Sequence, residues 1–93
     1  EVDLAARTVH RAGDGVEMSP LEFELLSFLL LHRGIAVSRE QLLQEVWGYS
    51  EPERIRTRTV DTHVAALRAK LERDPSAPEH ILTVRKVGYR LEG

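Results

Sequence analysis

Apolar and polar positions alternate over the first eighteen residues, in VDL, RTVHR and VEM, with the turn-rich AGDG at 12–15 between the last two. Period-two alternation interrupted by glycine predicts short strands: Val2–Leu4, then Arg7–Arg11 and Val16–Met18 as a hairpin. The first of these needs a further strand beside it, expected upstream of Glu1. The period then changes. Ser19-Pro20-Leu21-Glu22 supplies a capping serine, a proline suited to the first helical position and a glutamate that completes a capping box. The helix is expected to run to Arg33 and stop at Gly34. Leu21, Phe23, Leu25, Leu26, Phe28, Leu29, Leu30 and Leu31 make it apolar nearly all round, which places it centrally.

Ser38-Arg39-Glu40-Gln41 is a second capping box, opening a short helix that buries Leu42, Leu43 and Val46 and reaches Trp47. Residues 48–57 hold Gly48 and Pro52 without helical period and read as a loop. A third helix is predicted over 58–73, where Val60, Val64, Leu67 and Leu71 step by four, three and four into one core stripe. The run from Asp74 to Pro78 stops it. The tail ILTVRKVGYRLE alternates again and predicts a hairpin over 81–91, turning around Lys86–Gly88. The expected fold is α+β: a winged helix-turn-helix with N-terminal antiparallel strands, a three-helix core and a C-terminal β-hairpin wing.

Ninety-three residues suit a single domain, spanning 1–93. The absence of cysteine excludes disulfides, thiolate metal sites and a cysteine nucleophile. The longest apolar run, LLSFLLL at 25–31, is far shorter than the ~20 residues of a membrane span. With Glu first and no basic leader, the chain reads as a piece of something longer, without a signal peptide. Its formal net charge of −2 speaks at first against a polyanion partner. The distribution says otherwise. Residues 1–53 carry four arginines against ten acids, a net of −6; residues 54–73 carry six cations against Asp61 and Glu72, a net of +4. The rest is neutral, but Arg85, Lys86 and Arg90 cluster in the hairpin. One face therefore attracts anions.

The third helix, opposite its core stripe, shows Thr59, Thr62, Ala65, Ala66 and Ala69, flanked by Arg58, His63, Arg68 and Lys70. Small side chains let a helix sink into the major groove, threonine and alanine methyls can meet thymine methyls, and flanking cations can reach phosphates. The hairpin cations with Thr83 and Tyr89 could hold a neighbouring stretch of backbone, Tyr89 being equally suited to core packing. Trp47 needs a partner for its indole N–H, and a phosphate oxygen would serve. Asp61 suits the first helical turn and could orient Arg58. His10, His32, His63 and His80 show no metal-ligand spacing, and no glycine-rich phosphate loop follows a strand, so no catalytic site, metal or cofactor is expected. The rival is a winged helix used for protein–protein interaction, supported by the mild acidity and the alanine-rich face.

Three stretches carry a family resemblance: SPLEFELLSFLL at 19–30, VSREQLLQEVWG at 37–48, and RTVDTHVAALRAKLERDP with TVRKVGYRL at 58–75 and 83–91. The chain resembles the C-terminal effector domain of OmpR/PhoB-type response regulators, winged-helix DNA-binding proteins of bacterial two-component systems. The resemblance implies sequence-specific binding of double-stranded DNA by two copies on tandem half-sites, with helix 58–73 in the major groove and wing 81–91 on the backbone and minor groove. By motif position it assigns Arg58, Thr59, Thr62, His63, Ala66 and Arg68 to the DNA side of the recognition helix. Trp47, Thr83, Arg85 and Tyr89 fall on phosphate contacts, and Lys70 and Lys86 join this set from the charge pattern. It implies a long loop after the second helix that touches RNA polymerase, making Tyr49, Ser50, Glu51, Glu53, Arg54 and Arg56 candidate partner contacts. A receiver domain, a sensor kinase, control by phosphorylation and a cytoplasmic location are implied for the intact protein, along with an upstream first strand. Two departures stand out: Ala65 and Ala66 replace the family's frequent Arg, Lys or Ser, and Lys86 stands where glycine is usual at the wing tip.

Overall fold

The computed structural model describes residues 2–3, 5–11, 13–48 and 57–92. The loop candidates Tyr49, Ser50, Glu51, Glu53, Arg54 and Arg56 lie outside the described residues. At the N-terminus β1 (Val2–Asp3), β2 (Thr8–Arg11) and β3 (Asp14–Gly15) form an antiparallel sheet in that order. Val2 faces Val9, and His10 and Arg11 face Gly15 and Asp14. β1 pairs with β2. One expectation changes here. The returning strand is Asp14–Gly15 rather than Val16–Met18, because the turn closes around Gly13, whose φ of +86° permits a tight reversal. The Val16 N–H extends the pairing, to the Val9 carbonyl at 2.8 Å, after which Val16 and Met18 lean on the core.

Helix α1 (Pro20–Leu31) starts as its sequence dictates. Ser19 Oγ accepts from the Glu22 N–H and Glu22 Oε1 accepts from the Ser19 N–H, so both arms of the capping box form. The helix stops two residues before Arg33. His32 Nδ1 donates to the Phe28 carbonyl at 2.9 Å while its ring stacks on Phe28, which satisfies an orphan carbonyl at the helix end. Gly34, at φ +84°, then donates its N–H to the Leu91 carbonyl. The helix is less uniformly enclosed than its composition suggests. Phe23, Leu25, Leu26 and Leu29 are buried, but Leu31 is 72% exposed.

Val37–Ser38 forms an unforeseen strand, β4, and Ser38 then caps α2 (Arg39–Glu45) by accepting from the Gln41 N–H. Leu42 and Leu43 are fully enclosed, while Val46 caps the helix half-buried, leaving Trp47 just beyond it. Helix α3 (Thr57–Leu71) contributes Val60, Val64 and Leu67 to the core. Each enclosed leucine or valine supplies about 1.5–3 kcal/mol of burial, so this cluster, shared by all three helices and the C-terminal sheet, holds the domain together.

The C-terminal hairpin is β5 (Ile81–Val84) and β6 (Gly88–Leu91), and β4 adds to its other edge in the order β4-β6-β5. The turn residues are Arg85–Val87, closed by the Val87 N–H on the Val84 carbonyl. Gly88 is therefore a strand residue rather than part of the turn. It pairs with both Val84 and Ser38, and a Cβ there would meet the Val37 carbonyl oxygen at 2.1 Å. Only glycine lets β4 approach this closely.

Candidate nucleic-acid interface

Opposite the buried Val60, Val64 and Leu67, α3 exposes Arg58, Thr62, Ala65 and Ala69 in one continuous stripe. A second stripe of Thr59, His63, Ala66 and Lys70 is half-buried toward α2 and α1. Ala66, assigned to the DNA face by resemblance, thus lies on its flank, and Ala65 and Ala69 occupy its centre. The Thr62 hydroxyl donates to the Arg58 carbonyl at 2.9 Å, so its oxygen keeps only acceptor capacity toward an outside group. His63 Nδ1 donates to the Thr59 carbonyl at 2.8 Å, and its ring meets Trp47 edge-on, with centroids 5.2 Å apart. That contact sets the indole beside the middle of α3, at the border of the exposed stripe.

The other flank of α3 carries Asp61 and Arg68, with Glu72 directly after the helix. All three hold the wing. Tyr89 donates its hydroxyl to Asp61 Oδ1 at 2.5 Å, and Arg39 Nη1 donates to Asp61 Oδ2 at 2.9 Å. Arg68 donates from Nε and Nη2 to the Ile81 carbonyl, at 3.0 and 2.8 Å, and from Nη2 to Thr83 Oγ1 at 2.8 Å. Its guanidinium also lies over the Tyr89 ring, 5.5 Å from the centroid. Glu72 accepts from the backbone N–H groups of Glu79, His80 and Ile81.

These contacts revise four sequence expectations. Asp61 orients Arg39 and Tyr89 rather than Arg58. Tyr89 is 7% exposed and its one hydroxyl proton is committed to Asp61, so it has none to give a phosphate. Burial, reinforced by that hydrogen bond, pushes its pKa up to about 12. Lys70 is tied back to the fold, donating to Glu22 Oε1 at 2.5 Å. Burial alone would raise the Glu22 pKa, but Lys70 and the Ser19 backbone outweigh it and hold the carboxyl below its ordinary range. Arg68 has its fork turned to the wing. Arg39 and Glu72 had no role assigned from the sequence. The one available signal was that Asp61, Arg68 and Glu72 step by seven and four along one side of a helix.

Arg58 on α3 and Arg85 and Lys86 at the wing tip are exposed and make no ion pair among the described residues. Thr83 is exposed beside them. A helix displaying small side chains and an arginine next to a hairpin with a cationic tip is the working surface of a winged-helix domain.

Residues 13–91 match the family described as transcriptional regulatory protein, C terminal, and the chain belongs to that family. It is 45% identical over 89 residues to the probable transcriptional regulator ycf27 of Cyanophora paradoxa, matched over 96% of this chain and 37% of that protein. It is 46% identical over 90 residues to the DNA-binding response regulator MtrA of Mycolicibacterium smegmatis, over 97% of this chain and 39% of that one. The chain thus spans well under half the length of these curated relatives. Among solved structures it superposes on DrrB, an OmpR/PhoB homologue of Thermotoga maritima, with TM-score 0.87 and 35% identity, covering 99% of this chain and 41% of that one. It also superposes on the DNA-binding domain of Klebsiella pneumoniae RstA in complex with the RstA box, with TM-score 0.83 and 32% identity, covering 98% of this chain and 88% of that one. The fold is the OmpR/PhoB winged helix, and the family is one of transcriptional regulatory domains, not of enzymes.

Proposed function

We propose that this chain binds double-stranded DNA sequence-specifically, as the C-terminal effector domain of a bacterial two-component response regulator. The exposed α3 stripe of Arg58, Thr62, Ala65 and Ala69, beside the wing-tip cations Arg85 and Lys86, which make no ion pair among the described residues, carries the reading. Helix α3 enters the major groove with its small side chains against base edges, Arg58 reaching a guanine or a phosphate near its N-terminal end. The wing lies along the adjacent backbone, where Arg85, Lys86 and Thr83 meet phosphates, and Trp47 and His63 border the groove from the α2 side.

With few free cations, one copy binds modestly, and two copies on tandem half-sites supply the affinity. The relatives' greater length supports a receiver domain preceding this one, addressed by a sensor kinase in the cytoplasm. Residues 49–56, between α2 and α3, are the candidate RNA polymerase contact.

The test is fluorescence anisotropy of a labelled duplex enriched from a randomised library, against a random duplex, across a salt series. Preference for the enriched duplex and a steep fall of affinity with salt are expected. No binding to either duplex at low salt would overturn the reading and favour a protein-interaction module.

A further inference from the structure

We infer that Arg68 is a positioning residue that fixes the wing against the recognition helix, rather than a group that touches DNA. The inference rests on the DNA-binding reading above. Arg68 is half-buried, and the two nitrogens it turns to the wing, Nε and Nη2, are both engaged. Two bonds converge on the Ile81 carbonyl and one on Thr83 Oγ1, so the fork grips the backbone and a side chain of the same strand. The planar guanidinium also rests on Tyr89, from the other wing strand. A single side chain of α3 thus touches both strands of the hairpin.

Position gives this clamp its consequence. Asp61 holds β6 at Tyr89 and Glu72 holds the entry to β5, one at each end of α3. Between them, Arg68 binds the stretch of β5 that leads to the cationic tip, through Thr83, two residues before Arg85. The wing's phosphate contacts pay off only if Arg85 and Lys86 arrive at the backbone in register with the helix in the groove. Arg68 sets that register. A lysine could keep the charge but not the fork, since its donors radiate from one nitrogen and cannot reproduce the planar grip.

The experiment is a double-mutant cycle on the full chain, read as anisotropy with the enriched duplex. Arg85→Ala in the wild-type background is expected to cost about tenfold, the worth of one charge-assisted contact. In the Arg68→Ala background the same change is expected to cost less than twofold, because the tip is already out of register. Arg68→Lys is expected to bind like Arg68→Ala despite its retained charge. Additive losses in the cycle, or wild-type binding by Arg68→Lys, would overturn the inference and return Arg68 to the phosphate contacts. Circular dichroism melts of each variant separate lost register from lost folding: the cycle is read only below the variants' melting transitions. Absence of binding by the wild-type chain would instead refute the DNA-binding reading itself.

Discussion

Glu72 and Ile81 are joined at the backbone: Glu72 Oε2 accepts from the Ile81 N–H at 2.8 Å, while Arg68 takes the carbonyl of the same residue. The peptide groups at the start of β5 are therefore held at both ends by side chains of α3 and its end. This relationship ties the hairpin's entry to the helix that faces outward beside it. The helix and the hairpin are thus tied together by polar contacts laid along one side of α3, while its hydrophobic stripe holds the same helix to the core.

Removing the Glu72 carboxylate is expected to be costly. Glu72 is 2% exposed and its carboxylate serves three backbone donors, of which the Ile81 N–H is buried. Glu72→Ala strips these bonds and leaves the buried Ile81 N–H without its carboxylate, and is expected to destabilise the domain by about 1–3 kcal/mol, measured by urea denaturation. Burial by itself would raise the Glu72 pKa, but the donors from Ile81, Glu79 and His80 outweigh it and lower it below 4.5. A depressed folded pKa contributes stability that is present above the unfolded value and lost as pH falls through the folded one. Wild-type stability is therefore expected to drop below about pH 4.5, with a shallower drop in Glu72→Ala.

The order of elements was legible in the sequence because capping and periodicity are local. Ser19, Pro20 and Glu22 announced α1, and the Val60–Leu71 spacing announced α3. The shortest elements were not. β4 has two residues and exists only because β6 comes back beside it, a non-local cause that no window around Val37 contains. At the site, charge and small residues marked the face of α3 that the fold leaves exposed. They could not separate cations that face outward from those bonded within the fold. Arg68 and Lys70 look like Arg58 in a sequence, and only packing reveals that their partners lie 13 and 48 positions away.

Gly88 tests that non-local pairing directly. A methyl at this position would overlap the Val37 carbonyl, which is backbone on a paired strand and cannot swing aside. Gly88→Ala is expected to cost about 3 kcal/mol and to loosen β4 from the wing. Hydrogen exchange should show faster exchange at Val37 and Ser38, with the α1 amides less affected.

Tyr89 predicts an alkaline limb to the stability curve. Its phenol ionises near pH 12 in the fold, against 10.0 ordinarily, because burial and the Asp61 carboxylate disfavour the phenolate. A raised folded pKa gives stability that is complete below the unfolded value and lost between about pH 10 and pH 12. Denaturation across that window should show the loss, and Tyr89→Phe should flatten it while also lowering stability at neutral pH. Tyrosinate absorbance in a Tyr49→Phe background would follow the titration of Tyr89 alone.

Lys86 sets folding and binding against each other. It sits at the third position of the wing turn with φ +68°, a left-handed conformation that costs a side-chain-bearing residue about 1 kcal/mol and glycine almost nothing. Lys86→Gly should therefore raise the melting temperature or leave it unchanged. The same change removes an exposed cation from the tip, so affinity for every duplex should fall, and the slope of log affinity against log salt should become shallower by about one. Arg85→Ala should shift the slope by the same amount without the stabilisation, since no strain is relieved there. Thr62→Ala, on the exposed stripe of α3, should act differently again. It should leave the salt slope in place and alter which enriched duplexes are preferred, because the proposed docking turns its oxygen to base edges rather than phosphates. Slopes measured for all three variants on enriched and random duplexes would assign each residue to backbone or base. A salt slope unchanged in both Lys86→Gly and Arg85→Ala would remove the wing from the interface.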